Sequence, residues 1–139
     1  MAILFVAVLA VYTAGVVLPF CFPGRPRIQN FIAHGLAVLA GGAGVILGIA
    51  GLLTPEPFLM SVPSTLPLLT FAIRLDPLAS FFVLTISLVS LAASLYALGY
   101  VTEFYGRTSI SLLGSLFNGF LLSMTLVVVA DNGFFFLIV

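Results

Sequence analysis

The sequence predicts an all-α polytopic membrane protein, on three observations. Four apolar runs each approach the length of a bilayer crossing, charge is almost absent, and the few charges fall between the runs. Hydrophobic residues make up 63% of the 139 and charged residues 6%, with a mean hydropathy of +1.37. That balance lies far outside the range of water-soluble domains. Four acids (Glu56, Asp76, Glu103, Asp131) offset four arginines (Arg25, Arg27, Arg74, Arg107), and there is no lysine. No basic surface exists for a nucleic-acid backbone, and nothing points to a soluble small-molecule substrate.

The first run, Ile3 to Phe20, lacks the positive segment and small-residue cleavage pattern of a secretory signal and reads as a retained span. Phe20 before Cys21 also stands where a lipoprotein signal needs a small residue. The second run is Phe31 to Leu53, the third Leu78 to Val101 and the fourth Ile110 to Ala130. Each is close to the roughly 20 residues that carry a helix across about 30 Å of hydrocarbon. Helices are required because lipid offers no partner to an unpaired backbone group.

Between the second and third runs, prolines at 55, 57, 63 and 67 stop any helix. After them "TFAIRLD" alternates, with Phe71, Ile73 and Leu75 on one face and Arg74 and Asp76 on the other. This period of two predicts a short extended strand over the helix ends. The run Gly133 to Val139 is too short to cross and reads as the start of a fifth helix. Residues 1–139 form a single transmembrane region with no repeat or second domain, expected to be the N-terminal fragment of a larger subunit. Three arginines lie in the loops after the first and third spans and one on the opposite side, so the N-terminus is expected outside a multi-pass protein of the inner (plasma) membrane.

Small residues dominate one stripe of the second span. Positions 34, 37, 41, 44, 48 and 51 hold His34, Ala37, Gly41, Gly44, Gly48 and Gly51, at spacings of three and four. Such a stripe lets helix backbones approach closely, and helix packing is its expected use, with self-dimerisation as the rival. His34 opens the stripe near the arginine-rich end, either as a wetted interfacial histidine or as an inlet-side proton acceptor. On the third span Ser80, Ser87, Ser90, Ser94 and Ala97 repeat the spacing and read as packing, with a hydrated path as the lesser alternative, and Tyr96 and Tyr100 read as an interfacial belt. Asn118 is the side-chain amide set well inside the fourth span and should bond a facing helix. Asp76 and Asp131 precede helices and should cap them, a part in proton exit being the minor alternative.

One cysteine and one histidine leave no disulfide or structural zinc site, and no cofactor or catalytic residue is expected. The four spans hold no Asp, Glu, Lys or Arg of the kind an ion pathway needs inside the membrane.

The string "IRLDPLASFFVLTISLVSLAASLYALGYVTEFYG", followed by "ADNGFFFLIV", resembles the proton-translocating membrane subunits shared by respiratory complex I, Mrp antiporters and group 4 hydrogenases. Within that family it looks most like the hydrogenase-4 and formate hydrogenlyase members. The resemblance covers Phe71 to Val139 and rests on Arg74, Asp76, "SLYALGY", Glu103 and the "DN" turn. It implies an outside N-terminus, a strand-like segment before the third helix, and other membrane subunits of an oxidoreductase complex as partners beside the lipid bilayer. In the family the aromatic-rich helix runs on to a membrane-embedded glutamate that pairs with a lysine on a later helix. Neither residue is in this sequence, so neither role transfers. The expected function is the N-terminal part of a proton- or cation-translocating subunit without redox chemistry of its own. The alternative is a small membrane assembly or anchoring protein acting through helix packing. A small drug exporter is disfavoured by the lack of an acid within a span.

Overall fold

The computed structural model describes residues 1–54, 56–62, 71–131 and 136–137. Four long helices and one hairpin account for them. Helix α1 (Ala2–Val17) ends in a 3-10 turn (Leu18–Cys21) where Pro19 cannot continue the helix. Helix α2 (Pro26–Leu53) and helix α3 (Pro77–Tyr100) both start on a proline, whose missing N–H costs nothing at a first helical position. Asp76 caps α3, its Oδ1 accepting from the Ala79 N–H at 2.8 Å. A 3-10 turn (Val101–Phe104) extends α3, and helix α4 (Ile110–Val129) follows with Ser109 as its N-cap.

All four helices are long and apolar enough to cross a membrane, and the protein is an all-α polytopic membrane protein with a small sheet. The sheet pairs β1 (Phe58–Val62) antiparallel with β2 (Phe71–Leu75), in the register Phe58 to Leu75 and Met60 to Ile73. The strand expected from the alternation after Pro67 is β2. Its partner β1 has no alternation to announce it and is fixed by pairing. The start of a fifth helix expected at 133–139 lies outside the described residues, apart from Phe136 and Leu137.

The loops after α1 and after α3 share one end of the bundle, the arginine end, and each turns on a glycine in the left-handed region. Gly24 (φ +74°) precedes Arg25, and Gly106 (φ +80°) precedes Arg107. The hairpin closes the opposite end. Ile73 forms an isolated antiparallel bridge with Ala130, and the Asp131 N–H donates to the Ala72 carbonyl at 2.9 Å.

Helix α2 is central and touches α1, α3 and α4, whereas α3 and α4 touch each other far less than α3 touches α2. Beneath the hairpin, Ile73 and Leu75 pack with Phe5, Leu47, Val83 and Val129. A second cluster at mid-bundle joins Val8 and Tyr12 of α1 to Ala37 and Ala40 of α2 and Leu121 of α4. Side chains facing away from these clusters are large and apolar, among them Ile3, Phe31, Leu39, Leu116 and Phe120, as lipid contact requires.

Candidate functional site

The seam between α2 and α3 is built from the small-residue stripes. A Cβ placed on Gly48 would lie 2.7 Å from Leu84 Cβ and 2.9 Å from its backbone N, and one on Gly41 would lie 2.9 Å from Ser90 Oγ. Gly44 faces Ser87 and Gly51 faces Ser80 in the same way. The helices are therefore antiparallel in a single register along their whole contact. Gly41, Gly44, Gly48 and Gly51 are all consumed by this one interface.

Polar side chains lie along the seam and beside it. Tyr12 of α1 and Ser90 of α3 share a buried hydroxyl–hydroxyl hydrogen bond of 3.1 Å. Toward the arginine end, Asn30 Nδ2 donates to the Leu98 carbonyl at 3.0 Å and to Tyr105 Oη at 3.1 Å. One turn further into the membrane on α2 stands His34, 1% exposed, its ring 5.1 Å from that of Phe117 on α4. The interfacial position expected for this histidine is thus replaced by a buried one. α2 begins at Pro26 rather than near Phe31, which sinks His34 about 12 Å below the helix start at 1.5 Å per residue.

Asn118 of α4 is fully buried. Its Nδ2 donates to the Ala33 carbonyl of α2 at 3.0 Å and to Gly114 of its own helix at 2.9 Å. Its Oδ1 sits against Gly15 of α1, a position where any Cβ would collide with the amide. Ser115, one turn earlier on α4, donates to the Val16 carbonyl of α1. Together they tie α4 to both neighbours in the half of the bundle nearer the arginine end.

Asp76 and Asp131 are brought together at the hairpin end with Arg74 between them. The Arg74 guanidinium lies 3.8 Å from Asp76 and 3.9 Å from Asp131, with all three side chains partly exposed. They rim a groove of about 360 Å³ between the start of α3 and the end of α4, floored by Ala79, Phe82 and Val128. A second, almost wholly apolar cleft of about 270 Å³ opens between the same two helices at mid-height, lined by Ile86, Val89, Ala93, Phe117 and Phe120. His34 and Asn118 belong to the bundle interior and do not join this rim.

Sequence reasoning missed Tyr12 and Asn30 as interior polar groups. Tyr12 carries the one phenol of the first span, which was a usable signal. Asn30 was hidden by placing the second span too late, leaving Asn118 as the lone interior amide. Among the described residues, no three of His, Cys, Asp and Glu gather as a metal-binding group.

Fold and site define a polytopic α-helical membrane protein with an interior polar seam, one ionic rim and a lipid-facing outer surface. No protein-family profile matches the chain. Hydrogenase-4 component B of Escherichia coli (strain K12) is 39% identical to it over 66 residues, which cover 48% of this chain and 10% of that protein. The chain is distantly related to that protein over about half of its own length, and the match spans only a small part of the relative.

Proposed function

We propose that the chain is the N-terminal part of a proton- or cation-translocating membrane subunit of a respiratory or hydrogenase-type oxidoreductase complex. The similarity to hydrogenase-4 component B carries this reading, and the polytopic helical fold supports it. Redox chemistry and its cofactors belong to partner subunits. The interiors of α3 and α4 hold no Asp, Glu, Lys or Arg, so these helices form the flank of a translocating bundle rather than its charged axis. Asp76 and Asp131 serve that flank as a helix cap and an ionic clasp around Arg74. An assembly protein working through its small-residue stripe is less well supported, since the four stripe glycines are occupied by α3 inside the bundle.

The N-terminus lies outside in this proposal, which places the arginine end in the cytoplasm. Cys21, exposed and the sole cysteine, reports on that directly. A membrane-impermeant maleimide should label it in inside-out vesicles and leave it unlabelled in intact spheroplasts. The reverse pattern inverts the topology. For the complex itself, the tagged chain is extracted from its host in mild detergent and run on a native gel. Co-migration with hydrogenase-type redox subunits is expected, together with loss of redox-driven vesicle acidification when the gene is deleted. Migration alone with undiminished acidification sinks the proposal.

A further inference from the structure

Six buried side-chain polar atoms have no hydrogen-bond partner among the described residues. Four of them fall in one short stretch: Asn30 Oδ1, both ring nitrogens of His34, and Ser94 Oγ. Asn30 is bonded to Leu98 across the antiparallel seam, so His34, four residues further along α2, lies level with Ser94, four residues back along α3. These four buried, unpartnered atoms lie at a common level of the bundle. In every protonation state an imidazole presents at least one N–H, and the neutral ring adds one bare nitrogen that accepts. Mid-helix N–H groups are already paired, and no helix carbonyl among the described residues takes a hydrogen bond from the ring as it does from Asn30 or Asn118. A single serine hydroxyl cannot serve both nitrogens and the Asn30 carbonyl oxygen. A water molecule, with two donors and two acceptors, can link them.

We propose that His34 is a buried hydration site, in which water bound to the ring, Ser94 Oγ and Asn30 Oδ1 connects the imidazole to the arginine end through Asn30 and Tyr105. The route is blind. Toward the hairpin it stops at the closed Tyr12–Ser90 pair, beyond which Gly48 meets Leu84 without a polar group between them. Phe117 separates the ring from the apolar cleft between α3 and α4. The titratable side chains facing this level are Tyr12 of α1 and Tyr105 of the loop after α3; Tyr96 and Tyr100 of α3 are exposed on its outer side, and no carboxylate or basic group lies on α1, α3 or α4. The site therefore exchanges the ring proton with one side of the membrane only.

The chain has a single histidine, so its ring nitrogens give unambiguous signals after histidine-selective 15N labelling. The full chain, reconstituted in phospholipid bilayers, is examined by water-edited solid-state NMR. The expected result is rapid magnetisation transfer from water to the ring nitrogens, together with exchange of the ring N–H in heavy water. Ser94→Ala should slow the transfer several-fold, Tyr105→Phe should slow the heavy-water exchange, and Ser87→Ala, further along the same seam, should change neither. A wild-type ring that receives no magnetisation from water overturns the proposal. So does a hydrated ring whose exchange is indifferent to both Ser94→Ala and Tyr105→Phe, since water would then reach it by another route. If Ser94→Ala does not fold, the Tyr105→Phe exchange rate decides, because that hydroxyl lies in the loop at the arginine end.

Discussion

On one side of α3, Ser80, Leu84, Ser87 and Ser90 meet the glycines of α2 with no room for a methyl group between them. On its other side, Ile86, Val89 and Ala93 look across open clefts toward Phe117 and Phe120 of α4. Both interfaces join helices of similar hydropathy. In lipid, apolarity alone does not draw helices together, because acyl chains are as apolar as leucine. What separates the two sides is side-chain size and the hydrogen bonds that small size permits. α2 is held to α3 by steric fit over its length, whereas α4 is held mainly to α1 and α2 by Asn118 and Ser115.

Five measurements of stability in lipid or mixed micelles can break or sharpen this contrast. Gly48→Ala should cost the most, about 2 kcal/mol, because its methyl meets the Leu84 backbone rather than a movable side-chain tip. Its partner experiment is Gly42→Ala, where nothing lies within 4 Å of the new Cβ and stability should rise by about 0.5 kcal/mol. Equal effects at the two glycines would mean that helix propensity, not fit, governs the seam. Asn118→Ala should cost about 1 to 2 kcal/mol by freeing α4 from α2. Tyr12→Phe removes one buried hydroxyl pair and should cost about 0.6 kcal/mol in a reversible unfolding titration. Ala93→Leu, which grows into the α3–α4 cleft, should shift stability by less than about 0.5 kcal/mol. A loss there as large as that of Gly48→Ala would show the cleft to be closed.

Much of this arrangement was written in local pattern. Span number and order followed from hydropathy, and β2 followed from the alternation of Ile73, Arg74 and Leu75, which the structure realises as buried, exposed and buried. The glycine stripe on α2 and the serine stripe on α3 were each visible, but nothing in either states that Gly51 faces Ser80 or Gly41 faces Ser90. Register between helices is a pair property, fixed by steric fit that no single segment contains. Strand β1 was lost for the same reason, since "FLMSV" gains its identity from pairing with β2. His34 was misplaced for a local reason. The polar start of α2, "PRIQN", looks like loop by composition, yet Gln29 Nε2 bonds the Phe22 carbonyl and Asn30 bonds Leu98, so this polar turn is part of the helix. Arg74 and Asp76 were legible on one face, but the addition of Asp131 was out of reach because it is brought in only by the hairpin folding back over α4.

The bridge between Ile73 and Ala130 has a mechanical consequence. A strand pairing tolerates no slip of one residue without turning its buried face outward, and here that face carries Ile73 and Leu75 into the core. α4 therefore cannot glide along its axis relative to α3 while the bridge holds. Its far half, parted from α3 by a cleft, is fastened instead to α1 and α2 by Ser115 and Asn118, so α4 is secured at both ends, like a door latched as well as hinged.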